Sequence, residues 1–304
     1  MGRGLGHAKL ILVGEHWVLD GARALAIGLP ELHTQVELIP AESSDIPADA
    51  QAAQMLQLAL EQVGWHRPLR ATIASNVPIR RGLGSSAALA VALVRAAHAL
   101  EHSTELHTSE VALRARALEA LVHGQSSGLD PAAAAAGGTA VLFQQGTVLN
   151  QPSIHANLAP AHWLVVDVGQ GQPTRTAIAV AKQAREEMGD LRRHTLLASV
   201  TRAAESAADA LHRGNLSELA LALRQAGDAI EPLGIVNEPL QLCRTRLLEA
   251  GALASKSSGA GLGGVTLGLF ADADTAHRAQ LAIADRGWAS WISPLATPAT
   301  RPKD

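Results

Sequence analysis

Ser85 and Ser86 follow Gly82 and Gly84 in the stretch PIRRGLGSSA, residues 78–87, and an apolar run at helical spacing comes directly after them. A glycine turn of this kind lets backbone N–H groups approach an anion closely, and the positive end of the helix that follows favours negative charge there. Phosphate is the natural occupant. Taken alone, the same residues also describe a strand-to-helix turn with a serine N-cap. Two further residues have types suited to chemistry: Asp130 in GLDPAAAAA and Lys9 in HAKLILV. An aspartate can accept a proton from an attacking hydroxyl, yet Asp-Pro-Ala is also how a helix begins, with Asp as N-cap and Pro at the first helical position. In an extended segment Lys9 shares a face with His7, Ile11 and Val13. A lysine there is either solvated on an edge strand or, if buried, held by a partner. The residue type is scarce, with four lysines against 21 arginines.

Other candidate chemistry is weaker. The P-loop pattern GxxxxGK[ST] is absent, and GAGLGG, residues 259–264, satisfies GxGxxG but precedes the strand-like VTLGLF where a dinucleotide loop would open a helix. His98 and His102 have a helical i, i+4 spacing that could hold zinc, but no Glu stands next to the first and no third ligand stands at a telling distance. Cys243 is the only cysteine, and its apolar helical surroundings predict a buried reduced thiol.

The elements that must position these residues can be read in order. Short β-type runs broken by Gly14, Gly21 and Pro30 predict a meander of strands over the first forty residues. A helix over 48–63, a strand at LRATIASNV, the glycine turn and a helix over 85–100 follow. A helix starts at the TSE cap near Thr108 and stops near Val122, at His123 and Gly124. GLDPAAAAA begins another. Strands are expected at 139–143 and 163–168 with a polar stretch, 144–160, between them. Residues 176–250 read as helices broken at Gly189, Gly214 and 232–234. Strand and loop then return, with a helix over 274–285 and the extended WASWI. This is an α+β chain, divided into units at 1–160 and 161–304.

Composition excludes other classes. A 47% hydrophobic fraction suffices for sizeable cores, and with aromatics at 2% those cores must be aliphatic. The net charge is -3 with no basic block, which argues against nucleic acid or an acidic membrane surface as partner. The absence of any apolar run long enough for a membrane span, and of a secretory signal, predicts a soluble cytoplasmic protein.

Three segments, KLILVGEHWVLDG at 9–21, GLGSSA at 82–87 and KSSGAGLGG at 256–264, resemble motifs one, two and three of the GHMP kinases, a family named for galacto-, homoserine, mevalonate and phosphomevalonate kinases. They occur in the family's order and span nearly the whole chain. GEH in the first motif together with HGQSSGLD at 123–130 is most similar to the mevalonate kinases of that family. The resemblance implies a two-domain fold, with an N-terminal α+β domain carrying the ATP loop (Gly82, Leu83, Gly84, Ser85, Ser86, Ala87) and a C-terminal ferredoxin-like α+β domain. It implies ATP and Mg²⁺ as cofactors and a small-molecule alcohol, mevalonate, as substrate. A homodimer is allowed but not specified. Asp130 matches the catalytic aspartate, which takes the proton of the substrate hydroxyl as that oxygen attacks the γ-phosphate. Lys9 pairs with it, and its charge offsets that of the transferring phosphoryl group. Ser86 and Glu119 match the serine and glutamate that ligate Mg²⁺. Glu15, His16 and Thr176 match residues near the substrate, and the loop Gly259, Ala260 and Gly261 brings backbone close to substrate or phosphates.

One departure stands out. The family writes the second motif P-x-G-x-G-L-G-S-S-A, and here Arg80 occupies the first glycine position. Either that position takes an ordinary backbone geometry or the loop is shaped differently; Arg80 or Arg81 is expected near the phosphates, arginine being a good phosphate donor. The competing readings are a sibling kinase acting on phosphomevalonate, a sugar or homoserine, and a non-catalytic ligand sensor on the same fold. Retention of Lys9, Ser86, Glu119 and Asp130 together argues against the sensor, which needs no base.

Overall fold

A computed structural model of the chain describes residues 1–123, 126–169, 171–172 and 174–295. They form two compact units, one of residues 1–10 with 26–150 and the other of residues 11–25 with 151–304. A single cut near residue 160 therefore does not follow the packing: residues 11–25 lie in the second unit, tied there by side chains described below. Among the described residues no helix is long and apolar enough to cross a membrane.

The first unit is built on a five-stranded sheet. Strands β1 (Gly2–Val13), β2 (Ala24–Pro40), β4 (Ala140–Gln144) and β5 (Thr147–Asn150) lie in that order, with β3 (Leu69–Ser75) beside β2. Its helices are α1 (Ala50–Glu61), α2 (Ser85–Glu101), α3 (Thr108–His123) and α4 (Leu129–Ala136). The core is aliphatic as composition demands, with Val36, Leu38, Met55, Leu56, Val91, Leu93 and Leu118 fully buried among alanines of α2. Alternate residues of β1, Gly2, Gly4 and Gly6, face the α2 backbone so closely that an added Cβ would lie 2.1, 2.0 and 2.0 Å from the carbonyl oxygens of Ala96, Ala92 and Ala88. Two strand residues advance about 6.6 Å and four helical residues about 6.0 Å, so the glycines keep step with one i, i+4 row of the helix. Only glycine permits this approach.

Four expectations need correction here. Pro30 does not interrupt β2, which runs through it; it stands outside the stretch Thr34–Pro40 that bonds to β3. The stretch 144–160 contains a strand, β5, joined to β4 by a two-residue turn whose residues, Gln145 and Gly146, both have positive φ (47° and 84°), the type I′ pattern. At the start of α3 the capping group is His107, whose Nδ1 accepts from the N–H of Ser109 at 3.4 Å and whose carbonyl accepts from Val111. Gly124, expected to stop α3, lies outside the described residues. In α4 the N-cap is Gly128, with φ 96°, and Asp130 sits inside the first turn.

The second unit runs β6 (His162–Asp167), α5 (Thr174–Glu187), α6 (Asp190–Arg213), α7 (Leu216–Ile230), α8 (Glu238–Glu249), β7 (Ala254–Ser258), β8 (Val265–Phe270), α9 (Ala273–Ala282) and β9 (Ala289–Pro294). All pairings in its sheet are antiparallel, in the order β7-β8-β6-β9. Numbered along the chain the strands lie 2-3-1-4, the ferredoxin-like arrangement that the resemblance implies. Cys243 is a free thiol buried in this core with Leu164, Val166 and Phe270, and burial pushes it up to about 12.

Candidate active site

In the first unit the register of β1 on α2 continues to the glycine turn. Lys9 N–H donates to the Leu83 carbonyl at 2.9 Å, and a Cβ on Gly84 would stand 2.9 Å from Lys9 Cγ. Gly84 is the N-cap of α2 with φ 75°, a left-handed conformation, and as a glycine it brings no side chain of its own to the helix start. Gly82 shares the positive φ, at 81°. Arg80 has φ 59°, in the left-handed region that glycine adopts without strain. Of the two alternatives raised from the sequence, an ordinary backbone geometry at position 80 does not hold.

Lys9 is buried, which excludes solvated edge placement, and its Nζ lies 3.1 Å from Asp130 Oδ2. Because Gly128 takes the cap position, the Asp130 carboxylate is left free of capping and points to Lys9. About a third of it remains exposed (34%). Glu119, on α3, is 3% exposed and accepts from Ser86 Oγ at 3.1 Å and from Ser126 Oγ at 3.0 Å. Burial first, and then the negative charge of Asp130, push the Glu119 carboxyl up to about 7 against the hydrogen bonds of the two serines and the charge of Lys9. Glu119 and Ser86 are hard oxygen donors placed side by side, a fit for Mg²⁺. No group of three or more His, Cys, Asp or Glu able to hold a metal occurs among the described residues, so an ion here would take further ligands from phosphate and water.

The second unit holds the other expected residues. Glu15 is buried against Lys256 in an ion pair, and His16 Nε2 meets the Ala260 carbonyl at 2.8 Å. Gly259 and Gly261 have φ 96° and 83°, and a Cβ on Gly261 would lie 2.7 Å from the Ile235 carbonyl oxygen. Their loop joins two antiparallel strands, β7 and β8, which excludes a dinucleotide loop. Thr176 lies exposed at the start of α5, and no hydrogen bond among the described residues joins it to the others. His98 and His102 stack at 4.3 Å, and His98 Nε2 is engaged by the Thr104 carbonyl.

Two residues escaped the sequence reading. Ser126 braces Glu119, and its signal was the paired serine before GLD. Lys256 opens the third motif and was legible only as one of four lysines.

Comparison with known proteins bears on both units. The family model for the GHMP kinases N terminal domain matches residues 50–138, and that for the GHMP kinases C terminal region matches residues 207–288. A mevalonate kinase of Pyrococcus horikoshii is 30% identical over 292 residues, covering 84% of this chain and 85% of that one. One of Aeropyrum pernix is 27% identical over 288 residues, covering 88% and 87%. The crystal structure of L. major mevalonate kinase in complex with R-mevalonate superposes with TM-score 0.82 at 25% identity, covering 98% of this chain and 97% of that one. With ordered motifs, fold and relatives in agreement, the chain belongs to the GHMP kinases, a family of ATP-dependent small-molecule kinases.

Proposed function

We propose that this protein is a mevalonate kinase, transferring the γ-phosphoryl group of ATP to the C5 hydroxyl of (R)-mevalonate. The observation that carries the chemistry is the Lys9–Asp130 pair, 3.1 Å apart, beside the glycine turn that opens α2. The choice of acceptor rests on relatives named mevalonate kinase that match more than four-fifths of the chain.

Asp130 accepts the hydroxyl proton as the oxygen attacks phosphorus; the new O–P bond forms while the bond to the β-phosphate oxygen breaks, and ADP leaves. The Lys9 ammonium holds the carboxylate in place and offsets charge on the moving phosphoryl group. Backbone N–H groups of Ser85, Ser86 and Ala87 receive phosphate oxygens at the positive end of α2. Ser86 and Glu119 would hold Mg²⁺, which neutralises charge on the phosphates when bound. Glu15, His16, Thr176 and the loop Gly259 to Gly261 are assigned to the substrate side.

The test is a panel of acceptors with ATP, reading ADP release. Mevalonate should be phosphorylated, and phosphomevalonate, galactose and homoserine should not. Asp130→Asn should lower kcat by about 10²–10⁴ while leaving ATP affinity within about twofold. No turnover across the panel, or full activity in that variant, rejects the assignment.

A further inference from the structure

Lys256 is a cation that the chemistry above leaves unused. It lies in β7 with no exposure to solvent. Its ammonium donates to the Ile11 carbonyl at 3.3 Å, to the Ser257 carbonyl at 2.7 Å and to the Glu15 carboxylate. An ammonium has three donors, and these are three acceptors. Ser258, on the same face of β7, accepts from Ile11 N–H at 2.9 Å and donates to the Ile11 carbonyl at 3.0 Å. The chain is thus held at residue 11 and again at residue 15.

Directly after those ties comes His16, whose φ of 58° is one that residues with a β-carbon seldom adopt. Such a backbone persists only where surrounding bonds over-determine it. The carbonyl of Ala260 can only accept, which assigns the ring proton to Nε2. Desolvation lowers the ring's proton affinity, and the charge of Arg185 acts in the same direction, against that carbonyl and the charge of Asp20, so the neutral ring is favoured. Nδ1 is then a buried lone pair without a hydrogen-bond partner among the described residues, on a side chain 6% exposed. Buried acceptors of this kind want a donor, and a hydroxyl supplies one.

We propose that Lys256 is a positioning residue for the hydroxy-acid substrate: by fixing Glu15 and the Ile11 peptide it sets the turn at 14–16, and so holds the Nδ1 lone pair of His16 where a substrate hydroxyl donates to it. The inference rests on the kinase reading above. A lysine suits the position because its compact ammonium meets three convergent acceptors, whereas a planar guanidinium would need a different geometry.

Lys256→Met alone leaves Glu15 buried without its cation, so the informative protein is the full-length double variant Lys256→Met/Glu15→Gln, which buries neither charge. Relative to wild type it should raise KM for mevalonate about tenfold or more and leave KM for ATP within about twofold. In ¹⁵N NMR spectra the single Nε2–H tautomer of His16 should give way to a mixture. Either KM for mevalonate or the tautomer unchanged in a folded double variant overturns the inference. Should that variant not fold, Glu15→Gln, which keeps the shape and removes only the ionic tie, is read by the same two measurements. If wild type turns over another acceptor of the panel, KM for that acceptor takes the place of KM for mevalonate. If it turns over none, the mevalonate reading fails and the tautomer alone decides the role of Lys256.

Discussion

Glu119 is the residue whose protonation links stability to function. Its carboxyl is raised from the ordinary 4.5 to about 7 by burial and by Asp130, so folding favours the protonated form. The contribution is whole below pH 4.5 and is lost as pH rises through about 7, a difference worth about 3 kcal/mol. Glu119→Gln cannot ionise. Measured by urea unfolding without nucleotide, the variant should gain up to about 3 kcal/mol on wild type between pH 5 and 8 while losing Mg²⁺-dependent turnover. A difference between the two proteins that does not vary with pH would show that the carboxyl stays ionised when folded. The residue types were legible in advance because Asp, Lys, Ser and Glu are what phosphoryl transfer uses. Their company was not. Nothing in the local sequence says that Gly128, not Asp130, caps α4, or that Ser126 reaches Glu119.

At the scale of elements, helices with a sustained 3.6-residue period were readable to within a few residues, since periodicity is a local property. Features decided by a neighbour were not: Pro30 reads as a break although β2 runs through it, and a Gln-Gly turn lacks the asparagine that would announce it. The alternate glycines at 2, 4 and 6 are the clearest case, for their meaning lies in a helix some ninety residues away. That packing sets the glycine loop against Lys9, and the loop carries its own strain at Arg80. A left-handed arginine costs about 1–2 kcal/mol, and glycine's extra entropy loss offsets about 0.5–1 kcal/mol of any relief. Arg80→Gly should therefore leave thermal stability unchanged or raise it by about 1.5 kcal/mol at most. With stability so nearly balanced, an expected rise of about threefold or more in KM for ATP reports on the lost guanidinium near the phosphates. An unchanged KM would assign the loop's binding to its backbone alone.

For the whole molecule, the fold class and the ferredoxin-like second unit followed from the resemblance, while the interleaving of the chain did not. Residues 11–25 join the second unit through bonds such as Lys256 to Ile11, 245 positions apart, which no local pattern encodes. A fragment of residues 151–304 would keep the Lys256 ammonium without its carboxylate partner, a loss of about 3–5 kcal/mol for a buried pair broken on one side. Circular dichroism should find no cooperative melting in that fragment, and adding a peptide of residues 11–25 should restore it. Cooperative melting of the fragment alone would refute the claim that the segment is integral to the unit.

The same separation governs synthesis. Ile11 leaves the ribosome 245 residues before Lys256 is made, an interval of roughly 12–50 s at translation rates of about 5–20 residues per second. Throughout it Ile11, Leu12 and Val13, apolar side chains destined for burial, wait for the last part of the polypeptide. Nascent chains must be shielded from aggregation for that time, and codon choice over the stretch leading up to Lys256 becomes a lever on yield.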